Sequence, residues 1–497
     1  MTRMANPGDL EERFREASGQ VRLCVQVRQE VEAQGALLRW ARALNNGLSA
    51  LRFQTPERLQ RRFAMMPELL FLVCDGHLQV AHTRDGVPRA ARSDRTTPSF
   101  AFWADPKPDL ASRLQTLTKP SGTWLAWNMG ASLESLLGDA LRRHDTFDFS
   151  SPVRASERFG RERLLTTLQR DLDLHDALGV YGLRKVGKTS LVYGLEEVLP
   201  QEPSEGVCHW RVAYVDVQSY LQEDLDAVCE ELLQGLHIPR GTQRSARVTL
   251  KKAVEHLVDE GVKPCVIIDE FDYLLTHRAF QNHVADFLAM IRGLVQNRPG
   301  LTKWVLVGRE PSLLNAARLH GQPNPTLNFF REFWVPPLGR QEMGTMLATL
   351  GRRMGLDLGH QSKDRAHALT LGHPMMARRY GSQLARLCAG QSTLPDQNQP
   401  TDSLAENAGG ELLRDRQARA WVAEVAQLLF EHHVSAGSLL LRHITQESSI
   451  DSWQELRASS PDDAVLLVDF GLVDDATGAV PGLLKAHLPR HHLESAA

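Results

Sequence analysis

No apolar run in this sequence approaches the roughly 20 residues that a membrane-spanning helix needs. The opening MTRMANPGDLEERF is too polar to resemble a secretory signal, so a cytoplasmic protein with no membrane contact is expected. Cysteine is scarce and scattered. Cys24, Cys74, Cys208, Cys229, Cys265 and Cys388 form no CxxC pair and no Cys/His set at zinc spacing, which leaves free, mostly buried thiols. The pairs His432-His433 and His491-His492 lack ligand neighbours at metal spacing and read as solvated surface histidines. Net charge is small as well: −3, from 57 basic and 60 acidic residues, excludes a globally basic nucleic-acid binder and says nothing about a local basic patch. There is no internal repeat.

What is present is an ordinary globular composition, 42% hydrophobic and 24% charged, in a 497-residue chain too long for one core. Typical domain sizes imply about three or four units. Residues 1–148 read as an α+β domain. A helical pattern runs from about Leu10 to Leu51. LLFLV and HLQVAHT then read as two strands joined at Asp75-Gly76, a dipeptide that suits a tight hairpin. SFAFWA and TWLAWN are further strand candidates, followed by a helix from about Leu133 to Arg143.

Past the polar hinge HDTFDFSSPVRASE, residues 149–338 alternate strand and helix patterns. ALGVY, WRVAYVDV, PCVIIDE and KWVLVG are the strands, each followed by a helix, which predicts a parallel sheet with helices on both faces. CVII and WVLV are apolar enough for strands buried on both sides. Residues 339–388 read as a helical lid, and 389–410 as a flexible Gly/Pro/Gln-rich linker. Residues 411–497 open with an amphipathic helix. AVLLVDFGLVDDATGAVPGLL then reads as helix, short strand, DATG turn and short strand, the order of a winged-helix module.

The chemistry concentrates in YGLRKVGKTSL. Gly182, Leu183, Arg184, Lys185, Val186, Gly187, Lys188 and Thr189 fill GxxxxGK[ST], with a buried strand before it and a helix after it, and Ser190 is expected to bind the nucleotide with them. The glycines let backbone N–H groups turn inward around a β-phosphate, and the helix N-terminus adds its positive dipole end. Lys188 is expected to neutralise the β- and γ-phosphates and Thr189 to ligate Mg²⁺. About eighty residues on, CVIIDEFD brings Asp269 to a strand end. There Asp269 can hold the Mg²⁺ shell and Glu270 can act as general base on an attacking water. WVLVGREP sets Arg309 just past the next strand, within reach of a γ-phosphate.

FGRE (Phe159 to Glu162), GLRKVGKTSL, VIIDEFD, VGRE and GHP (Gly372 to Pro374) occur in this order. The set resembles the STAND branch of the AAA+-related P-loop ATPases, which includes NOD-like receptors and bacterial signalling and defence ATPases. The resemblance covers about residues 150 to 490. It implies a sheet in which one strand separates the P-loop strand from the Asp269 strand. It also implies Phe159 and Arg161 near the adenine, Arg309 as the arginine reading the γ-phosphate, and Pro374 packed against the base. Such proteins hold ADP in a closed form and exchange it for ATP on triggering. The resemblance therefore implies ATP/ADP and Mg²⁺ as cofactors, slow turnover, a protein partner, a nucleotide-dependent oligomer and a defence or stress setting. A shift between states of this kind needs a few kcal/mol of differential binding.

Two features are weighed against this reading. Origin-recognition initiators also join a P-loop domain to a winged helix, but the recognition segment here, SSPDDAVLLVDFG, is acidic and apolar, which disfavours DNA. In the N-terminal domain, Asp75 and Asp105-Pro106-Lys107 superficially match the acid and lysine spacing of metal-dependent nucleases. Asp75 is better explained as a turn residue, and Pro106 would interrupt the strand presenting Lys107. Cys74 and His77 flank the same turn as an ordinary hairpin pair, not a thiol nucleophile. A non-catalytic interaction or regulatory domain is expected. The receptor-type histidine of the winged helix is not evident, and His487 is not assigned to it.

Overall fold

The computed structural model describes residues 7–44, 48–59, 68–74, 100–104, 123–127, 132–133, 145–147, 158–200, 209–238, 245–312, 314–354, 356–389, 401–446 and 448–495. Two compact units result. One comprises Met1–Asp148, Leu347–Ser362 and Gly381–Ala408; the other comprises Phe149–Met346, Lys363–Tyr380 and Gly409–Ala497.

In the first unit, helices α1 (Pro7–Gln20) and α2 (Leu23–Ala33) precede strands β1 (Leu37–Ala43), β2 (Leu48–Gln54), β3 (Glu68–Cys74), β4 (Phe100–Ala104) and β5 (Thr123–Trp127). The sheet order is β1-β2-β3-β4-β5. Strand β2 is antiparallel to both neighbours, and β3, β4 and β5 are mutually parallel. The helical pattern expected to reach Leu51 therefore stops at Gly35, whose φ of 89° ends α2. Leu38 and Ala41 fit helical spacing as well as an extended chain; pairing of Leu38 with Phe53 across β1 and β2 decides for strand. The hairpin expected at Asp75-Gly76 falls past the end of β3, at residues the structure does not describe. Both edges of β3 are taken, by β2 and β4, and HLQVAHT lies outside the described residues. Asp75, His77, Asp105, Pro106, Lys107 and most of the helix expected at 133–143 lie outside the described residues. Phe53, Phe71 and Trp127 stack edge to face at 5.3 and 5.6 Å, and α1 and α2 cover them with Phe14, Ala17, Val27 and Val31.

The second unit holds α3 (Glu162–Leu174), β6 (Ala177–Tyr181), α4 (Lys188–Val198), β7 (His209–Asp216), α5 (Leu225–Gly235) and α6 (Ala246–Asp259). They are followed by β8 (Val262–Asp269), α7 (Asp272–Thr276), α8 (Val284–Asn297), β9 (Lys303–Val307), a small hairpin of β10 (Arg318–Leu319) and β11 (Gln322–Pro323), and β12 (Arg331–Trp334). The main sheet is parallel throughout, in the order β12-β6-β9-β8-β7. One strand, β9, separates β6 from β8, as the resemblance implied. Alternate residues face opposite layers. Val266, Ile268, Trp304 and Leu306 join α5, α6 and α8 in one core, whereas Cys265, Ile267, Val305 and Val307 join α3 and α4 in the other. No helix follows KWVLVG among the described residues. Pro311, Pro323 and Pro325 remove backbone donors there, and turns plus the β10/β11 hairpin take its place.

The chain continues through α9 (Arg340–Arg353), α10 (His360–Thr370) and α11 (Pro374–Ala389). Part of the linker expected at 389–410 is helical: Thr401–Leu404 form a 3₁₀ turn and α12 spans Ala405–Arg414, while residues 390–400 lie outside the described residues. Helices α13 (Arg416–His432), α14 (Val434–Thr445), α15 (Ile450–Ser459), α16 (Pro461–Asp469) and α17 (Gly482–Ser495) complete a helical C-terminal region. The two short strands expected around DATG do not form among the described residues. Asp474 N–H donates to Ala479 O at 2.9 Å, and Thr477 N–H and Oγ1 donate to the Asp474 carboxylate, closing a turn. Only Val480 then separates that turn from Pro481 and α17, too little chain for a ladder. No helix of the described residues is long and apolar enough to cross a membrane.

Candidate active site

Three loops meet at the carboxyl ends of adjacent parallel strands, the edge where α/β sheets bind ligands. The loop after β6 is 182–187, that after β8 begins at Glu270, and that after β9 begins at Gly308. Backbone bonds tie them together: Gly182 N–H donates to Arg309 O at 3.1 Å, Phe271 N–H to Val307 O at 2.9 Å, and Gly308 N–H to Val180 O at 3.0 Å.

Gly187 caps α4 with φ 104° and ψ 23°. A side chain would find space there, since the nearest atom to an added Cβ is 4.0 Å away, so the left-handed backbone rather than crowding selects glycine. The first N–H groups of an α-helix have no partner within the helix, so the start of α4 suits an anion. Lys188 is buried, and its Nζ donates to Gly182 O at 2.8 Å and Leu183 O at 3.1 Å. Burial pulls its ammonium below the ordinary value, and Glu270, Asp269 and Asp272 oppose that shift.

Thr189 Oγ1 donates to Asp269 Oδ2 at 2.6 Å, Tyr214 OH donates to the same oxygen at 2.9 Å, and Glu270 N–H donates to Oδ1 at 2.8 Å. Burial and the Asp269 charge push the Tyr214 phenol above its ordinary value. Glu270 itself has φ 52°, an uncommon conformation for a residue with a side chain and one that concentrates at functional sites. Burial raises its carboxyl, partly offset by Lys188. Asp272, three residues past Asp269, is buried; it accepts from Arg309 N–H at 2.8 Å and lies 3.6 Å from Arg309 Nε. Burial raises its carboxyl too, opposed by Arg309.

Arg161 precedes α3 and is buried, with Nη2 donating to Val186 O at 2.9 Å. Burial pulls its guanidinium down to about 10, against the attraction of Glu342, so it stays charged at neutral pH. Phe159 is half-buried beside it. Leu183, Val186 and Ser190 are buried, whereas Arg184 and Lys185 are exposed. The expected residues therefore gather around the P-loop, and GHP adds a contact through His373. Its imidazole Nε2 lies 3.1 Å from Arg184 O, and Met376 N–H donates to Nδ1. Pro374 opens α11.

Three further contacts reach the site from the C-terminal helices. Arg184 Nη1 pairs with Glu424 of α13 at 3.2 Å, and Trp421 of α13 packs on His373 with centroids 5.0 Å apart. Buried Glu310, next to Arg309, bonds His433, whose ring also meets Phe470 at 5.9 Å. The reading of His432-His433 as a solvated pair is thus corrected for His433; His432 is exposed. His487 Nε2 lies 2.9 Å from Leu413 O, away from these contacts. Asp272 was legible as the last acid of DEFD. Tyr214, Trp421, Glu424 and His433 carry no local motif and become visible only by proximity.

The donor set fits a nucleotide with a hard cation. Lys188 is a desolvated cation whose bonds, among the described residues, go to loop carbonyls. Thr189 commits its proton to Asp269, which leaves its lone pairs for a cation, and carboxylate and hydroxyl oxygens suit Mg²⁺. No cluster of three or more His, Cys, Asp and Glu able to hold a metal by themselves exists among the described residues.

Residues 156–316 match the family model described as an AAA domain. The matched segment takes in β6 to β9 and the three loops above but not β12, and the central fold is that of a P-loop ATPase of AAA+ type. No curated protein sequence matches the chain. Among solved structures, it is similar to a Walker-type ATPase of Pyrococcus abyssi at 16% identity, over 69% of this chain and 99% of that one, with a TM-score of 0.45. The Aeropyrum pernix ORC2 protein in its ADPNP-ADP complexes aligns at 15% identity over 71% and 99%, TM-score 0.42. Drosophila ORC bound to DNA aligns at 13% identity over 73% and 90%, TM-score 0.41.

Proposed function

We propose that this protein is an ATP-hydrolysing conformational switch of the STAND type, with slow turnover, that acts through a protein partner or by nucleotide-dependent assembly. The observation supporting this reading is at Arg184. Its carbonyl is bonded by His373 and its side chain by Glu424, so one P-loop residue is gripped by both the lid and a C-terminal helix. Glu310 and His433 repeat the arrangement one loop away. A rearrangement of the P-loop or of Arg309 on nucleotide exchange changes both sets of contacts, which is the differential interaction a two-state switch needs.

In the proposed reaction the loop N–H groups and Lys188 bind and orient the phosphates, while Thr189 and Asp269 hold Mg²⁺. Mg²⁺ supplies charge neutralisation at the phosphate oxygens. Glu270 orients the attacking water and accepts its proton, and Arg309 faces the developing charge. Phe159, Arg161 and Pro374 of the lid flank the base, and His373 ties the lid to the P-loop.

The test is hydrodynamic size and hydrogen exchange of α13 in the full chain, with ADP and with a non-hydrolysable ATP analogue, for wild type and Lys188→Ala. Nucleotide-dependent protection in wild type alone is expected. Identical exchange and size in every state would sink the switch. DNA binding is not favoured: α16 opens with Asp462 and Asp463, which repel phosphates. Salt-sensitive duplex binding by the full chain would reverse that preference.

A further inference from the structure

Asp269 Oδ2 accepts two hydroxyl bonds, one from Thr189 at 2.6 Å and one from Tyr214 at 2.9 Å, while Oδ1 takes the Glu270 N–H at 2.8 Å. A carboxylate oxygen has two lone pairs, and both on Oδ2 are engaged. Thr189 comes from α4 and Tyr214 from β7, so Oδ2 is fixed from two elements besides the strand that carries it. Tyr214 is itself held: Tyr193, one turn beyond Thr189 on α4, packs edge to face on its ring at 4.8 Å. The register is strict, since Asp216 pairs with Asp269 across β7 and β8, which fixes the height of Tyr214 two residues back.

We infer that Tyr214 is a positioning residue for Mg²⁺: its hydroxyl holds the Asp269 carboxylate in the orientation in which Thr189 can give its proton to Oδ2 and keep its lone pairs for the cation. Without that bond Asp269 keeps one hydroxyl partner on Oδ2 and the Glu270 N–H on Oδ1, and its side-chain torsion is less tightly held. Thr189 then loses a fixed acceptor. Outer-shell partners of this kind change metal affinity by about 10- to 100-fold when removed. The inference rests on the proposed assignment of Thr189 and Asp269 to Mg²⁺, and Tyr214 touches neither nucleotide nor reacting atoms in that scheme.

The test uses the full chain and a fluorescent ADP, titrated with Mg²⁺ and, separately, held in EDTA. Tyr214→Phe removes one oxygen and keeps the ring; Tyr214→Met, which also lacks the hydroxyl, guards against an effect of shape. Both are expected to raise the Mg²⁺ concentration for half-maximal response at least tenfold, with nucleotide affinity in EDTA unchanged. An unaltered Mg²⁺ midpoint in both, while Thr189→Ala shifts it, would overturn the role of Tyr214 and leave the metal assignment standing. Equal losses with and without Mg²⁺ would also overturn it, as the mark of a packing role. If neither Thr189→Ala nor Asp269→Asn moves the midpoint, the metal assignment itself fails.

Discussion

Thr189 and Asp269 are 80 residues apart in the sequence and are joined by a 2.6 Å hydrogen bond from Thr189 Oγ1 to Asp269 Oδ2. The bond connects the first turn of α4 to the end of β8, so the fold itself preassembles the residues to which the proposed mechanism assigns phosphate and metal. Preassembly of this kind lowers the ordering cost of binding.

Lys188→Ala is expected to leave the stability of the ligand-free protein unchanged or slightly raised, because it removes a desolvated cation. The gain on adding ATP and Mg²⁺ should vanish. Wild type at a hundredfold excess over its dissociation constant gains about 2.7 kcal/mol. Thermal melts with and without nucleotide check this.

Glu270→Gln keeps the size of the side chain and removes the base. Phosphate release should fall by about 10²- to 10⁴-fold while nucleotide affinity is retained. A release assay alongside a binding titration separates the two, and a variant that hydrolyses at the wild-type rate would remove Glu270 from the mechanism.

Gly372→Ala is expected to destabilise the second unit by more than about 2 kcal/mol. Gly372 has φ 78°, and an added Cβ would overlap the Leu338 carbonyl. Leu338 N–H donates to Gly372 O at 2.9 Å, so relief would cost that bond as well. Denaturant melts provide the measurement.

His373 is buried and its imidazole is pushed down to about 4, chiefly by burial, with Lys188 and Arg161 adding repulsion. An unfolded histidine protonates near 6.5, so between about 6.5 and 4 the unfolded chain binds a proton that the folded chain refuses. Stability contributed by neutral His373 is thus full above 6.5 and is lost as pH falls towards 4, by about 3 kcal/mol at most. His373→Asn should flatten this part of the profile relative to wild type. Glu270 and Asp272, whose raised carboxyls act in the opposite sense, are present in both proteins and cancel in the difference.

The legible part of the fold was the part governed by local pattern. ALGVY, VIID and WVLV announce buried strands because parallel strands covered on both faces must be apolar along their whole length. Where one apolar set satisfied two periods, pattern failed. Residues from Leu37 on fit a helix in the sequence and form β1 and β2, since cross-strand pairing outweighs weak helical preference. The linker composition hid α12, whose residues gain their helical stability from packing. His433 looked solvated because its partner, Glu310, is 123 residues away.

By itself the sequence determined the phosphate loop, the Asp269-Glu270 pair and the parallel sheet that presents them, because each depends on residue types at short, fixed spacings. Only the tertiary structure decided what surrounds them. Tyr214 reaches Asp269, Asp272 braces Arg309, and His373, Glu424 and His433 grip the loops, through contacts between segments far apart in the chain. Such contacts follow from strand order and helix packing, and no local spacing encodes them.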